Sequence, residues 1–219
     1  MKIKAVGFDI DGTLYPNLSM YIKTSSSFLN HPRLVFHFSK IRKEIRKSDY
    51  SGSFREYQAK LLAYSMKITQ EKAADLIERH LYQNWVYSFK GVRPFSTVRP
   101  ALLSLKREGL KLGALSDFPV EKKLDFLGLS DVMDIAFSSE ETGHLKPHSA
   151  PFTNMISKFG VKPEEILYVG NSYKYDILGA KKEGLRTAHL VKKPDANSQA
   201  DFSFYSFLDL RDWILAINN

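Results

Sequence analysis

Ile3-Lys4-Ala5-Val6-Gly7-Phe8-Asp9-Ile10-Asp11-Gly12-Thr13 is an apolar run that ends in two carboxylates and a Gly-Thr turn. Its first six residues read as a short buried strand flanked by turn formers. Asp9 and Asp11 therefore stand where a strand gives way to a turn. In open α/β sheets that is where ligands bind, in the crevice beyond the carboxyl ends of the strands. Two acids placed so close repel each other unless a cation or a proton intervenes. An Asp-x-Asp-Gly turn is ordinary on its own, so its meaning depends on what the rest of the chain brings to it.

Outward from this stretch, Leu14-Tyr15-Pro16-Asn17 reads as a turn leaving the sheet. From there to about residue 90 helical spacing replaces strand alternation. Val35, Phe38, Ile41 and Ile45 recur at three- and four-residue steps. A break at Ser48–Ser53 precedes a second helix, expected from Phe54 to Met66 with Tyr57, Leu61 and Tyr64 on one stripe. Thr69 is placed to cap a third helix carrying Ala73, Leu76, Ile77, Leu81 and Trp85. Gly91 to Pro100 reads as a return linker, and Ala101 to Arg107 as a helix closing at Gly109.

Beyond Gly109 strands and helices alternate, the pattern of a parallel sheet built from βαβ units. Strands are expected at Leu110–Leu115, Ile135–Phe137, Glu165–Gly170, Thr187–Val191 and Phe202–Phe204. Helices are expected at Glu121–Leu127, Pro151–Phe159, from after Gly170 to about Glu183, and Phe207–Ile217. The fold class is α/β, a Rossmann-like parallel sheet core with helices on both faces. Residues 1–16 and 94–219 form that core, and 17–93 an inserted all-helical cap domain.

The bulk properties narrow the class further. The 219 residues are 43% apolar and 26% charged, ordinary for a soluble globular chain. No run approaches the ~18 apolar residues that a membrane span requires. The N-terminus enters a strand almost at once, which leaves no room for a signal peptide and suggests a cytoplasmic protein. With no cysteine, neither disulfides nor thiolate metal sites can form. The net charge of +8 is uneven: Asn17 to Arg93 holds 14 Lys+Arg against 6 Asp+Glu, while the remainder balances at 18 of each. Such a field raises the local concentration of anionic substrates; a solvated helical surface rich in lysine is the plainer reading.

Three further sites stand at strand ends or just before helices. Leu115-Ser116-Asp117 places a hydroxyl and backbone N–H donors at a strand end, donors that suit phosphate oxygens. Gly143-His144-Leu145-Lys146-Pro147 carries a lysine in a proline-locked loop, a compact charge able to neutralise a carboxylate–phosphate pair. Val169-Gly170-Asn171-Ser172, with Asp176 after it, adds an oxygen ligand and another acid suited to a hard cation such as Mg²⁺. Each is common alone. Their order and their recurrence at strand ends are not.

Asp9-x-Asp11-Gly12-Thr13, Ser116, Lys146-Pro147 and Gly170-Asn171…Asp176 together resemble the four motifs of the haloacid dehalogenase (HAD) superfamily. The resemblance extends over nearly the whole chain, because the helical insertion after the first strand resembles the family's cap. It implies Asp9 as the nucleophile toward a phosphoryl group and Asp11 as general acid and base. It implies Lys146 as the balancing charge, with Gly12, Ser116 and Asp117 around the phosphate. Mg²⁺ would be held by Asp9, the Asp11 carbonyl, Asn171 and Asp176. Many relatives carry aspartate where this chain has Asn171. Dehalogenating members lack the second aspartate, so Asp11 favours phosphoester chemistry.

The resemblance thus implies a Mg²⁺-dependent phosphatase acting on a small phosphomonoester through an aspartyl-phosphate. A sugar-phosphate phosphomutase would use the same two aspartates and stays open. Arg55 and Arg93 are the cap candidates for specificity, and cap closure is expected to hinge near Tyr15–Asn17 and Gly91–Pro94. A nucleic-acid-binding role for the basic cap is the rival from another class, although no recognised nucleic-acid motif is present. His144 and His148 are four apart, but Pro147 between them spoils a shared helical face for a metal.

Overall fold

β1 (Ala5–Asp9) is buried from end to end, because helices cover both faces of the sheet it anchors. Val6 and Phe8 share an apolar cluster with Leu102, Leu105, Phe207 and Ile214. Ala5 belongs to a different cluster, with Phe152, Met155 and Phe159. The strand's period of two therefore sends alternate residues into separate packing layers. Gly7 lies where no side chain fits: a Cβ there would stand 2.3 Å from the Met155 sulfur.

The computed structural model describes residues 2–19, 30–193 and 197–219; the side chains of Asn84, Trp85 and Glu121 lie outside the described residues. The remaining strands are β2 (Lys111–Ser116), β3 (Ile135–Ser138), β4 (Ile166–Gly170), β5 (Arg186–Leu190) and β6 (Phe202–Phe204). All described strands pair in parallel, in the order β3-β2-β1-β4-β5-β6. The direction of winding reverses between β1 and β4, the switch point at which an open sheet leaves a crevice. Asp9 stands opposite Leu115 and Phe8 opposite Val169. Asp9, Ser116 and Gly170 consequently end their strands along one edge. The α/β class and the parallel sheet are as the alternating pattern requires.

Between β1 and β2 the chain forms α1 (Pro32–Ile45), α2 (Phe54–Met66), α3 (Gln70–Leu76), a π-helical stretch Ile77–Gln83 and α4 (Asn84–Ser88). Thr69 caps α3, accepting from the Lys72 N–H at 3.3 Å. Leu34, Phe38, Ile41, Leu62, Ala73 and Ile77 form the core of this insert. Two readings change here. The single third helix becomes α3, the π stretch and α4. On α2 the buried face is Phe54, Gln58, Ala59, Leu62 and Ala63, whereas Tyr64 is 88% exposed. A polar residue defines that face because the Gln58 amide is satisfied on both sides, by Arg42 at 3.0 Å and the Tyr82 hydroxyl at 2.8 Å.

The core helices are α5 (Val98–Arg107), α6 (Glu121–Leu127), α7 (Ser149–Phe159), α8 (Leu178–Lys182) and α9 (Phe207–Asn218). Helix α5 begins before Pro100, where linker was expected. Proline is tolerated in a first turn, whose N–H groups have no intrahelical partner. The two segments joining insert to core run side by side, with the Phe95 N–H bonded to the Leu14 carbonyl at 3.0 Å. The Tyr15 and Phe89 rings meet edge to face there, 5.4 Å apart. Among the described residues no helix is long and apolar enough to cross a membrane.

Candidate active site

The turn after β1 bends back on its own strand. Thr13 donates its hydroxyl to Asp9 Oδ2 at 2.6 Å, and its N–H reaches the Ile10 carbonyl. Gly12 takes a positive φ of 85°, which an L side chain rarely adopts, and a Cβ there would lie 2.3 Å from the Asn171 amide. The turn after β1 is thus pressed against the residue that follows β4. Asp9 is 5% exposed.

Lys146 is the centre of the arrangement. Its Nζ donates to Asp9 Oδ1 at 2.7 Å, to Asp176 Oδ1 at 2.7 Å and to the Tyr168 hydroxyl at 3.2 Å. Asp176 Oδ2 accepts the Ser172 N–H at 3.0 Å, which fixes the second acid. Burial is the main influence on the Asp9 carboxyl and pushes it upward, aided by Asp176 and Asp11 and opposed by Lys146. Burial works against the Lys146 ammonium, but Asp176 and Asp9 outweigh it and hold the group protonated. One lysine charge therefore serves two carboxylates. A cation or a bound phosphate changes that balance directly.

Asp11 points elsewhere. Its carboxylate accepts Ser116 Oγ at 2.6 Å, Tyr15 Oη at 2.7 Å and Lys123 Nζ at 2.7 and 3.0 Å. Burial would raise this carboxyl, yet the Lys123 ammonium, with Ser116 and Tyr15, holds it below its usual range. Lys123 is fully buried, also donates to Ser116 Oγ at 3.0 Å, and lies against the Phe89 and Phe118 rings. Nothing in the sequence reading singled it out, because a lysine in Glu121-Lys122-Lys123 looks like any solvated helix residue. Only the folding of α6 against the end of β1 turns it inward.

Asp117, expected beside the phosphate, has its carboxylate held by protein groups. Its Oδ1 accepts Ser139 Oγ at 2.6 Å and the Lys146 N–H at 3.2 Å, and its Oδ2 accepts Arg46 at 2.8 Å. Burial would raise it, but Lys146, Arg46 and Arg42 bring it down to about 2. Arg55 is well exposed and pairs with Glu78 at 3.1 Å, lining a cleft with Pro119 and Glu140, and Arg93 is exposed. Arg42 of α1 and Arg46 at its C-terminal cap hydrogen-bond to the core. Arg42 is 4% exposed and donates to Glu140 and to the Asp117 carbonyl, under the ring of Phe118. Despite Pro147, the His144 and His148 rings stack with centroids 3.8 Å apart.

Near Asp9 stand its own carboxylate, that of Asp176, joined to it through Lys146, and the Asn171 amide against the Gly12 turn. No group of three His, Cys, Asp or Glu side chains among the described residues forms a metal cluster. The set fits a hard cation that keeps several waters, and not one requiring a full protein cage.

A parallel α/β sheet with an inserted helical unit, and a buried Asp–Lys–Asp site at the switch point, defines a hydrolase of the haloacid dehalogenase type. The family model for haloacid dehalogenase-like hydrolases matches residues 3–184, and the chain belongs to that family. The chain is 30% identical over 191 residues to pyrophosphatase PpaX of Bacillus cereus strain AH820, covering 86% of this chain and 83% of that protein. Among solved structures it resembles the 2-haloacid dehalogenase of Pseudomonas syringae pv. Tomato DC3000 (TM-score 0.73, 23% identity, 98% and 99% of the two chains). It also resembles the HAD hydrolase YfnB of Bacillus subtilis bound to magnesium (TM-score 0.70, 16% identity, 98% and 100% of the two chains). At these identities the structural likeness speaks for the fold alone.

Proposed function

We propose that this protein is a phosphatase that hydrolyses a small phosphomonoester through an aspartyl-phosphate on Asp9. The observation that carries this reading is the pair of acids at the end of β1 and in the turn after it, each held by its own lysine: Asp9 by Lys146 and Asp11 by Lys123. A dehalogenating site needs no second acid, because a halide leaves without a proton. A phosphoester site does.

In this reading an Asp9 oxygen forms a bond to phosphorus as the ester oxygen–phosphorus bond breaks. Asp11 gives its proton to the leaving alkoxide, then takes one from the water that attacks the aspartyl-phosphate. Phosphate is released and Asp9 restored, one difficult displacement having become two easier ones. General acid–base assistance of this kind contributes about 10²–10⁴-fold. In the structure Asp11 stands as a carboxylate surrounded by donors, so it takes up a proton from solvent before the first step, passes it to the alkoxide, and recovers one from the attacking water. Lys146 offsets charge on Asp9 and on the transferring group, electrostatic help aimed at the transition state. Mg²⁺, held by Asp9, the Asp11 carbonyl, Asn171 and Asp176, would supply charge neutralisation between nucleophile and phosphate. Residues 17–93 would act as the cap domain over this site.

The name of the Bacillus cereus relative favours a second substrate, pyrophosphate, whose hydrolysis would use the same residues. The test is a phosphate-release screen with Mg²⁺ over phosphomonoesters and inorganic pyrophosphate, run beside Asp9→Asn and a chelator. Activity is expected to vanish in both controls. Turnover that survives Asp9→Asn overturns the mechanism, and interconversion of sugar phosphates without net phosphate release would make the protein a phosphomutase.

A further inference from the structure

Arg46 joins the insert to the peptide unit of Lys146. Its Nε donates to the Lys146 carbonyl at 3.1 Å, and an Nη donates to Asp117 Oδ2 at 2.8 Å. The other Asp117 oxygen accepts the Lys146 N–H at 3.2 Å. The main chain of Lys146 is therefore held on both sides, directly at its carbonyl and through Asp117 at its N–H. The side chain of the same residue carries the ammonium that spans Asp9 and Asp176 at 2.7 Å each. Arg46 is itself braced, donating back to the Arg42 carbonyl at 3.2 Å and lying 4.8 Å from the centre of the Tyr175 ring. Tyr175 stands one residue before Asp176, so the same guanidinium touches the segment that carries the second acid.

Chemistry explains why arginine occupies this place. A planar guanidinium presents several donors in fixed directions and can hold a carbonyl, a carboxylate and a ring together. A lysine has one nitrogen for the same acceptors. Two of the polar partners of Arg46, the Lys146 carbonyl and the Asp117 carboxylate, belong to the core, yet Arg46 caps the C-terminus of α1 in the insert. The insert thus supplies one of the two anchors on the Lys146 main chain, at its carbonyl, and the core supplies the other, through Asp117.

We infer that Arg46 is a positioning residue for the reaction, which makes the placement of the Lys146 ammonium at Asp9 depend on docking of the insert. Arg46 acts through Lys146 and Asp117. Its work is to hold the ammonium against Asp9 and Asp176 at the moment charge develops, so it affects turnover more than substrate affinity. Small displacements of a positioned group are expensive, about 10²-fold for a shift near 1 Å. The inference rests on the phosphatase reading of Asp9.

The experiment measures phosphate release by wild type, Asp9→Asn, Arg46→Gln and Arg46→Lys with the best substrate from the screen, together with the melting temperature of each. Arg46→Gln is expected to lower kcat by roughly tenfold to a hundredfold while KM stays within about threefold. Arg46→Lys, which keeps the charge and the aliphatic stem but has one nitrogen in place of three, should fall between Arg46→Gln and wild type. A rise in KM with kcat unchanged would show that Arg46 contacts substrate, and the inference would be overturned. Wild-type kcat in Arg46→Gln would overturn it as well. If Arg46→Gln melts well below wild type, Arg46→Lys decides, because wild-type kcat in a stable Arg46→Lys means that directed donors are not needed. Failure of the phosphatase reading is seen separately, as turnover that persists in Asp9→Asn.

Discussion

At the scale of single residues, the site pairs each acid with a buried lysine, and the two pairs are set up differently. Lys146 shares its charge between Asp9 and Asp176, whereas Lys123 gives both of its contacts with acid to Asp11. Replacing Lys123 by methionine keeps the packing against Phe89 and Phe118 and removes the ammonium. We expect a melting temperature close to wild type, since Asp11 keeps Ser116, Tyr15 and some access to water, but a kcat lower by about tenfold or more. Steady-state kinetics beside thermal unfolding checks this; a stable variant with unaltered kcat would remove Lys123 from the site. Asp117 supplies a pH prediction. Its folded pKa of about 2 lies below the ordinary 3.8, so the stability it contributes is complete above that ordinary value and is lost as the pH falls through about 2. Urea midpoints measured between about pH 5 and pH 2 should fall more steeply for wild type than for Asp117→Asn. Parallel curves would show that the carboxylate is not a source of acid lability.

At the scale of elements, the strand ends are built to exclude side chains where partners must approach. At Gly170, the last residue of β4, a Cβ would lie 2.4 Å from the Asp176 Cβ and 2.5 Å from its carboxyl carbon. Gly170→Ala must therefore displace Asp176 or the strand, at an overpacking cost of about 1–3 kcal/mol. Because Asp176 shares Lys146 with Asp9, phosphate release should fall as well, and by more than the loss of folded protein accounts for. Denaturation and kinetics on the same sample separate the two effects. The helices tell the complementary story. On α1, Phe38, Ile41 and Ile45 are buried at the spacing read from sequence, Leu34 is buried where Val35 was expected, and Arg42 is buried among them. A hydrophobic pattern cannot reveal a buried arginine whose acceptors lie on another part of the chain.

At the scale of the whole molecule, those acceptors are what seat the insert on the core. Arg42 donates to Glu140 and Gln58, and the Tyr82 hydroxyl reaches the other Glu140 oxygen at 2.8 Å. Glu140 belongs to the core, and Arg42, Gln58 and Tyr82 to the insert. Glu140→Ala would leave the Arg42 guanidinium buried with an acceptor missing, a loss of about 3–5 kcal/mol. Chemical denaturation should show the lowered midpoint, together with earlier proteolysis at the seam. Unchanged stability would mean that the insert is held elsewhere, at Leu145, Ile45 and Phe54, where an apolar cluster also spans the seam. The insert's excess of positive charge has a related fate: its arginines at the seam meet protein acceptors, and most of its lysines are exposed.

By itself the sequence determined the parallel α/β class, the helical stretch between β1 and β2, and the ends of β1 and β2 at Asp9 and Ser116. Those features are local: strand periodicity, caps and turns are written in neighbouring residues. Tertiary structure alone decided which groups meet. Lys123 came to Asp11, Asp117 became a junction and Arg42 and Arg46 links to the core, because hydrogen bonds between residues some 70 to 110 positions apart leave no periodic trace in the chain. A charged side chain reads as solvated until the fold supplies the acceptor that buries it.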